Sequence, residues 1–395
     1  MNTANNLRVW TAGAESGLLA RVERRKFVFS YAAAARDAVS LTMPVRLESW
    51  TSPELHPIFQ MNLPEGDLLE AIRRALAKLM GDDDFTILQA TGGNQIGRNR
   101  FALADQTSPS APTRTETLEE LLTYPDTKEL FHELIERYAL RSGISGVQPK
   151  VLLEANERGT LTASGFIVKT WGEDYPQLAA NEFFCMTAAK NAKLSVPEFH
   201  LAENGGLFVM KRFDRTDDGR FLGFEDMCSL QALGTAQKYR GSYERVAKSL
   251  SYFISGEQLP RARGQFFATL VLSCMVGNGD AHLKNFGVLY QDPKGEVALA
   301  PVYDIVTTSA YIRADVPALS IAGTKKWWPR KTLEQFATTH LMLTGKEITA
   351  TFEQLSDAVS ETGHLIRAHI RNHPEFQTIG ERMLEIWNEG VTRLS

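Results

Sequence analysis

The chain is poor in cysteine. Its three, Cys185, Cys228 and Cys274, lie far apart, each in an apolar context. An odd, scattered set gives neither a disulfide framework nor a zinc spacing and suits a reducing compartment. The expectation is three small buried side chains. Long apolar runs are absent too: none approaches the roughly 18 residues of a membrane span, so no membrane partner is expected. Met1–Arg8 has no apolar core of a signal peptide, and a cytoplasmic location is expected. Neither charge dominates, with 43 basic residues against 47 acidic ones. That balance argues against a broad nucleic-acid surface and leaves room only for local basic patches. No helix-turn-helix pattern stands out, so direct reading of DNA would fall to a partner. No repeat recurs at periods of about 20 to 50 residues. The glycine-rich stretch Gly92–Gly97 lacks the GxGxxG spacing and the strand–turn–helix frame of a dinucleotide fingerprint, and reads as a loop.

What is present is a folded chain, 43% hydrophobic and 23% charged over 395 residues, long enough for two or three domains. Residues 7–45 read as a small antiparallel sheet, with strands at Val9–Thr11, Phe27–Tyr31 and Val39–Met43. Leu63-Pro64-Glu65 opens a helix whose buried stripe is Leu68, Leu69, Ile72, Leu76 and Leu79. Asp82–Asp84 caps the next short helix, and Phe101–Ala104 is a strand. Gln106–Glu116, rich in Ser, Thr and Pro, is the linker candidate. A helix follows, with Leu130, Phe131, Leu134, Ile135 and Tyr138 on one face. The second half has helical periodicity over Tyr243–Ile254, Gln265–Val276, Leu333–Leu343, Ile348–Val359, Thr362–Ile370 and Phe376–Trp387. A strand-rich first half and a helical second half predict an α+β enzyme with two lobes and a cleft. The basic–aromatic cluster Lys325–Lys331 reads first as a helix start with snorkelling cations, and second as a surface for an acidic partner.

The chemistry concentrates between the apolar runs Phe267–Val276 and Gly287–Tyr290. The intervening loop is Gly277-Asn278-Gly279-Asp280-Ala281-His282-Leu283-Lys284-Asn285-Phe286. A loop carrying a carboxylate, an imidazole, a cation and an amide within six residues is more often a site than a connector. Asp280 and Asn285 have the spacing of a kinase catalytic loop, in which the Asp takes the proton of the attacking hydroxyl and the Asn holds Mg²⁺. Asp304, nineteen residues after Asn285, supplies a second metal ligand. Upstream, Ser142–Lys150 is a small-residue stretch entering a strand, where backbone N–H groups could meet phosphate oxygens. Lys169 ends the strand Phe166–Lys169, and Glu182 stands near the start of an apolar helix that runs to about Lys190. A strand lysine facing a helix glutamate is how kinases fix the α- and β-phosphates. Phe208–Arg215 is a strand that turns polar, as a hinge with backbone groups for an adenine edge would.

The motifs Ile144–Lys150, Ile167-Val168-Lys169, Asn181–Phe184, Arg212–Arg215, Glu225–Cys228, Gly279–Phe286 and Tyr303-Asp304, in this order, resemble the HipA family of bacterial toxin kinases almost end to end. The resemblance implies a two-lobed protein-kinase-like fold. A small N-terminal domain (residues 1–110) precedes a strand-rich N-lobe (111–225) and an all-helical C-lobe (226–395). It implies an ATP- and Mg²⁺-dependent serine/threonine kinase of a type II toxin–antitoxin pair. The acceptor would be an aminoacyl-tRNA synthetase, whose modification halts translation. A small dimeric helix-turn-helix antitoxin of the HipB kind would neutralise the toxin and bind operator DNA. By motif, Asp280 is the catalytic base and Asn285 and Asp304 hold Mg²⁺. Ser145, Gly146, Val147, Gln148, Pro149 and Lys150 cover the phosphates, and Lys169 contacts them. Lys211, Arg212 and Phe213 border the adenine, while His282, Lys284 and Tyr303 line the site. The family's regulatory serine varies in position. Here one such position is Gly143 and the other Ser145, so Ser145 is the autophosphorylation candidate and Ser142 its rival.

Two other classes stay in view. Aminoglycoside kinases use a similar Gly-Asp-x-His-x-x-Asn loop, so a small-molecule phosphotransferase would share the chemistry with a different acceptor. A DNA-associated regulator without catalysis is the third, and the joint presence of Lys169, Asp280, Asn285 and Asp304 weighs against it.

Overall fold

The structure, a computed structural model, describes residues 5–65, 69, 72, 83–104, 116–127, 129–130, 133–134, 150–156 and 163–395, giving the backbone alone for 116, 150–156, 163 and 164. The expected positions Leu68, Leu76, Leu79, Phe131, Ile135 and Tyr138, the linker up to residue 115 and the loop 142–149 lie outside the described residues. The chain forms two compact units. One comprises Met1–Thr170, Lys211–Thr235 and Val288–Val297, and the other Trp171–Met210, Ala236–Gly287 and Ala298–Ser395.

The first unit opens with β1 (Asn6–Thr11), β2 (Ala14–Glu23), β3 (Lys26–Tyr31), β4 (Trp50–Ser52) and β5 (Asn99–Leu103). These make one antiparallel sheet in the order β4-β3-β2-β1-β5. Thr11 pairs with Ala14, and the two residues between them, Ala12 and Gly13, both have positive φ. This is the tight turn whose twist matches a hairpin, and Gly13 takes its left-handed position without a Cβ penalty. Leu7, Val9, Leu19, Phe29 and Phe101 are buried on the sheet. The short helix α1 (Pro57–Gln60) lays Phe59 on them, edge-on to Phe29 at 5.4 Å and to Phe101 at 5.7 Å. Asp83 caps α2 (Asp84–Thr91) by accepting from the N–H groups of Phe85 and Thr86, as its position before the helix predicts.

Val39–Met43 does not form the expected strand. It is a turn, bridged between Ser40 and Met43. The reason lies 185 residues downstream, where the buried carboxylate of Glu225 accepts from the Ser40 hydroxyl (2.6 Å) and the Leu41 N–H (2.7 Å). Further along, Thr117 and Glu120 form a capping box on α3 (Leu118–Thr123). β6 (Glu116–Thr117) runs parallel to β7 (Lys150–Asn156), which pairs antiparallel with β8 (Ala163–Lys169), Lys150 opposite Lys169.

The second unit is chiefly helical. Its elements are α4 (Leu178–Asn191), the hairpin of β9 (Phe199–Leu201) and β10 (Phe208–Lys211), α5 (Tyr243–Phe253), α6 (Leu259–Val276), α7 (Arg330–Leu341), α8 (Gly345–Asn372) and α9 (Gln377–Leu394). The C-terminal half of α6 is apolar all round, the mark of a helix inside a core. It packs against α8 and α9. The spans Ile348–Val359 and Thr362–Ile370 prove to be one helix of 28 residues. Thr362 turns its hydroxyl back onto the Ala358 carbonyl at 2.7 Å, so it continues the first span and caps no second one.

Residues 226–395 are not all-helical. Gly287–Tyr290 and Val297–Leu299 are strands, joined with Gly223–Asp226 in a three-stranded sheet. Both runs are short and apolar, and pairing partners rather than propensity decide their state. The three cysteines are free and buried as expected, and burial pushes the thiols of Cys185 and Cys274 up to about 12. Among the described residues no helix is long and apolar enough to cross a membrane.

Candidate active site

The loop after α6 starts with a helix stop. Gly277 takes the left-handed position, φ 66°, and its N–H returns to the Ser273 carbonyl. From there each residue of the loop is tied. The side-chain carbonyl of Asn278, itself buried, accepts the Asp280 N–H at 3.1 Å. The Gly279 N–H donates to the Thr308 hydroxyl at 2.6 Å, and that hydroxyl lies 2.5 Å from a carboxylate oxygen of Asp315. A Cβ on Gly279 would come within 2.2 Å of the same carboxylate, so glycine is required for the approach. The Tyr243 hydroxyl donates to the Ala281 carbonyl at 3.0 Å, and the Leu283 N–H donates to the Lys238 carbonyl at 3.1 Å. Beneath the loop, Tyr243 meets Phe266, Phe286 and the fully buried Trp328 at ring separations of 6.4, 6.2 and 6.0 Å.

These ties hold three of the expected residues together. The His282 N–H is shared between the Asp280 carbonyl (2.7 Å) and the side-chain oxygen of Asn285 (2.9 Å). The Asn285 amide then donates to the Asp304 carboxylate at 2.9 Å. Asp304 sits at φ 60°, a left-handed conformation that Asp tolerates better than most residues and that clusters at functional sites. The Tyr303 hydroxyl donates to the Lys284 carbonyl at 2.7 Å, tying the irregular stretch beside Asp304, which forms no strand, to the loop. Asp280, Lys284, Tyr303 and Asp304 are half-buried, and His282 and Asn285 are nearly closed off.

No set of three His, Cys, Asp or Glu side chains suited to a metal occurs among the described residues. Asn285 turns its amide nitrogen to Asp304 and its oxygen to the His282 N–H, so the groups that would hold a cation are the second lone pair of that amide oxygen and the Asp304 carboxylate. Two hard donors of this kind fit Mg²⁺, which keeps waters and shares substrate phosphates.

The other expected residues divide between the units. In the first, Lys169 is buried at the end of β8. Lys150 opens β7, while Ser145, Gly146, Val147, Gln148 and Pro149 lie outside the described residues. Lys211 is half-buried at the end of β10, and Phe213 packs edge-on to Phe224 at 5.6 Å. The side chain of Arg212 is buried and engaged within the first unit. It grips Asp214 through Nε (2.9 Å) and Nη2 (2.6 Å) and reaches the Asn94 side chain and the Gln95 carbonyl. Glu182, in the second unit, is fully buried within α4.

Three residues at the site carry no sequence motif. Thr308 and Asp315 fix Gly279, and the Tyr239 hydroxyl donates to Asp280 at 2.7 Å. The run Thr307-Thr308-Ser309 after Ile305-Val306 was the one available signal. The cluster Lys325–Lys331 belongs here as well. Trp328 is core, the Trp327 ring N–H donates to the Asp315 carbonyl at 3.0 Å, and Arg330 starts α7 paired to Glu334.

Known proteins resemble the chain over nearly its whole length. Residues 142–362 match the HipA-like C-terminal domain and residues 7–102 the HipA N-terminal domain. The chain belongs to the HipA family. Among its relatives is Y4dM of Sinorhizobium fredii, 32% identical over 297 residues that make 68% of this chain and 66% of that protein. Y4mE of the same organism is 29% identical over 346 residues, 78% and 79% of the two chains. Both carry provisional kinase names, and the match spans just under two thirds of the first. HipA from the Shewanella oneidensis MR-1 toxin–antitoxin system, solved with HipB and operator DNA, superposes with a TM-score of 0.73 at 18% identity. The match covers 98% of this chain and 97% of that one. The mixed α/β fold is therefore that of HipA.

Proposed function

We propose that this HipA-family chain is an ATP-dependent serine/threonine protein kinase with a two-lobed kinase-like fold, acting as the toxin of a toxin–antitoxin pair. The observation that carries the reading is the hydrogen bond between Asn285 and Asp304, with Asp280 on the same immobilised loop. In this proposal the Asp280 carboxylate takes the proton as an acceptor hydroxyl oxygen attacks the γ-phosphorus, and ADP leaves. Asn285 and Asp304 would hold Mg²⁺, which would supply neutralisation of phosphate charge. Following the family pattern, residues 145–150 and Lys169 engage the phosphates, with Glu182 the ion-pair candidate for Lys169. The backbone of Lys211–Phe213 borders the adenine, and His282, Lys284 and Tyr303 line the site. The relatives' kinase names support the reaction class. The HipB and operator DNA bound to the Shewanella protein support a helix-turn-helix antitoxin and, through it, DNA as partners. An aminoacyl-tRNA synthetase is the proposed acceptor, and Ser145 the proposed site of self-phosphorylation.

The test is transfer of labelled γ-phosphate from Mg-ATP by the purified chain, to itself and to synthetases in a cell extract. Phosphoprotein formation should vanish with EDTA and in Asp280→Asn. Labelling that survives Asp280→Asn, or an acceptor that proves to be a small molecule, would remove the assignment.

A further inference from the structure

At the proposed catalytic base the structure already holds a hydroxyl group. The phenol of Tyr239 donates to Oδ1 of Asp280 at 2.7 Å. A general base must lie within about 2.6–3.2 Å of the oxygen whose proton it takes. Tyr239 therefore takes one of the positions from which an acceptor hydroxyl could give its proton to Asp280. We propose that Tyr239 is a resident place-holder at the acceptor position, which an incoming hydroxyl displaces and which keeps water from the base in the absence of acceptor. This rests on the kinase reading of Asp280.

The surroundings favour a side chain that swings on a fixed backbone. On one side of Tyr239, the Lys238 carbonyl accepts from the Leu283 N–H of the loop. On the other, the Arg240 N–H donates to the Gln237 carbonyl at 2.8 Å, and the Tyr239 carbonyl itself accepts from Lys325 Nζ at 3.3 Å. The Tyr239 side chain, by contrast, is 43% exposed and rests edge-on against His282 at 5.1 Å between ring centres. Rotation about its two side-chain torsions carries the phenol into solvent without moving the loop. Leaving breaks, among its contacts, the hydrogen bond to Asp280, the aromatic contact with His282 and the cation–π contact of Lys238 Nζ, 5.4 Å from the ring centre, each modest at an exposed position. A purely structural tyrosine would normally be enclosed, as Tyr243 is beneath the same loop.

A residue that positions Asp280 and one that occupies its acceptor place predict opposite outcomes when the hydroxyl alone is removed. Tyr239→Phe keeps the ring on His282. With water as acceptor, Mg-ATP hydrolysis by this variant should rise about two- to tenfold, the factor a net hydrogen bond represents. The KM for ATP and the melting temperature should stay as in the wild type. Hydrolysis that stays equal or falls in Tyr239→Phe, while remaining dependent on Asp280, overturns the place-holder and leaves the kinase reading intact. Phosphate found on Tyr239 by peptide mapping would make it the acceptor, which also overturns the proposal. If Asp280→Asn hydrolyses ATP as fast as the wild type, the kinase reading itself fails and the place-holder with it.

Discussion

The two units carry two polar clusters built on opposite terms. In the first, Arg212 and Asp214 are sealed from solvent, with side-chain exposures of 0% and 1%. The Asp214 carboxylate also accepts the Gly97 N–H at 2.7 Å, and Arg212 spends further donors on Asn94 and Gln95. This pair clamps the glycine-rich loop at residues 92–97. In the second unit, Asp280 and Asp304 stay half-exposed, and their carboxylates accept from the neutral side chains of Tyr239 (2.7 Å) and Asn285 (2.9 Å) beside a loop whose backbone is tied down. Buried charge saturated by partners holds shape. Charge left at the surface of a rigid frame remains available to a substrate.

The contrast can be broken from either side. The largest effect should come from Asp280→Asn, which lowers the rate of phosphoryl transfer by about 10²- to 10⁴-fold. Its melting temperature should be unchanged, because the side chain is half-exposed. Radiolabel transfer and calorimetry on the same preparation check both halves. Arg212→Met should do the reverse. Stranding Asp214 without its partner should cost about 3–5 kcal/mol of stability. Denaturant unfolding measures it, and a loss below about 1 kcal/mol would mean that the clamp is replaceable.

Asp304→Ala sharpens the second side. ATP binding in the presence of Mg²⁺ should weaken by about tenfold or more, the order seen when a metal site loses a supporting group. Binding without metal should change little. Titration calorimetry with and without Mg²⁺ separates the two, and equal losses would make Asp304 structural.

The smallest effects concern pH. Burial raises the Asp214 carboxyl, but the charge and hydrogen bonds of Arg212 and the Gly97 N–H outweigh it and hold the group below its ordinary 3.8. Its contribution is therefore full above that value and is lost as pH falls through the lower folded one. Glu225 behaves oppositely. Burial pushes it above its ordinary 4.5, against the donors Ser40, Tyr290 and Leu41. Its contribution is present below 4.5 and is lost as pH rises through the folded value. The stability of Glu225→Gln relative to wild type should improve from mildly acidic to neutral pH. That of Asp214→Asn should improve only at strongly acidic pH. Thermal melts across a pH series read both signs.

Much of the candidate site was legible because its signals are local. The apolar runs on either side of 277–286, the glycine at the helix stop and the Asp280–Asn285 spacing sit within one short stretch. The Asp83 cap and the periodicity of α5 and α9 are local in the same sense. What escaped depends on distant partners. Val39–Met43 alternates like a strand, but its Ser40 and Leu41 are bound by Glu225. Arg212 has the position of a hinge residue, yet its side chain serves a loop more than a hundred residues earlier. Tyr239 belongs to no spacing rule at all and meets Asp280 across 41 residues.

The sequence by itself determined the family, the mixed fold and the order of chemical groups along the chain, because helix period, turn residues and motif spacing act over a few residues. Only the tertiary structure decided which polar groups are closed in pairs and which are left open to solvent. That choice rests on burial and on hydrogen-bond partners brought together from far along the chain, and no local pattern encodes it.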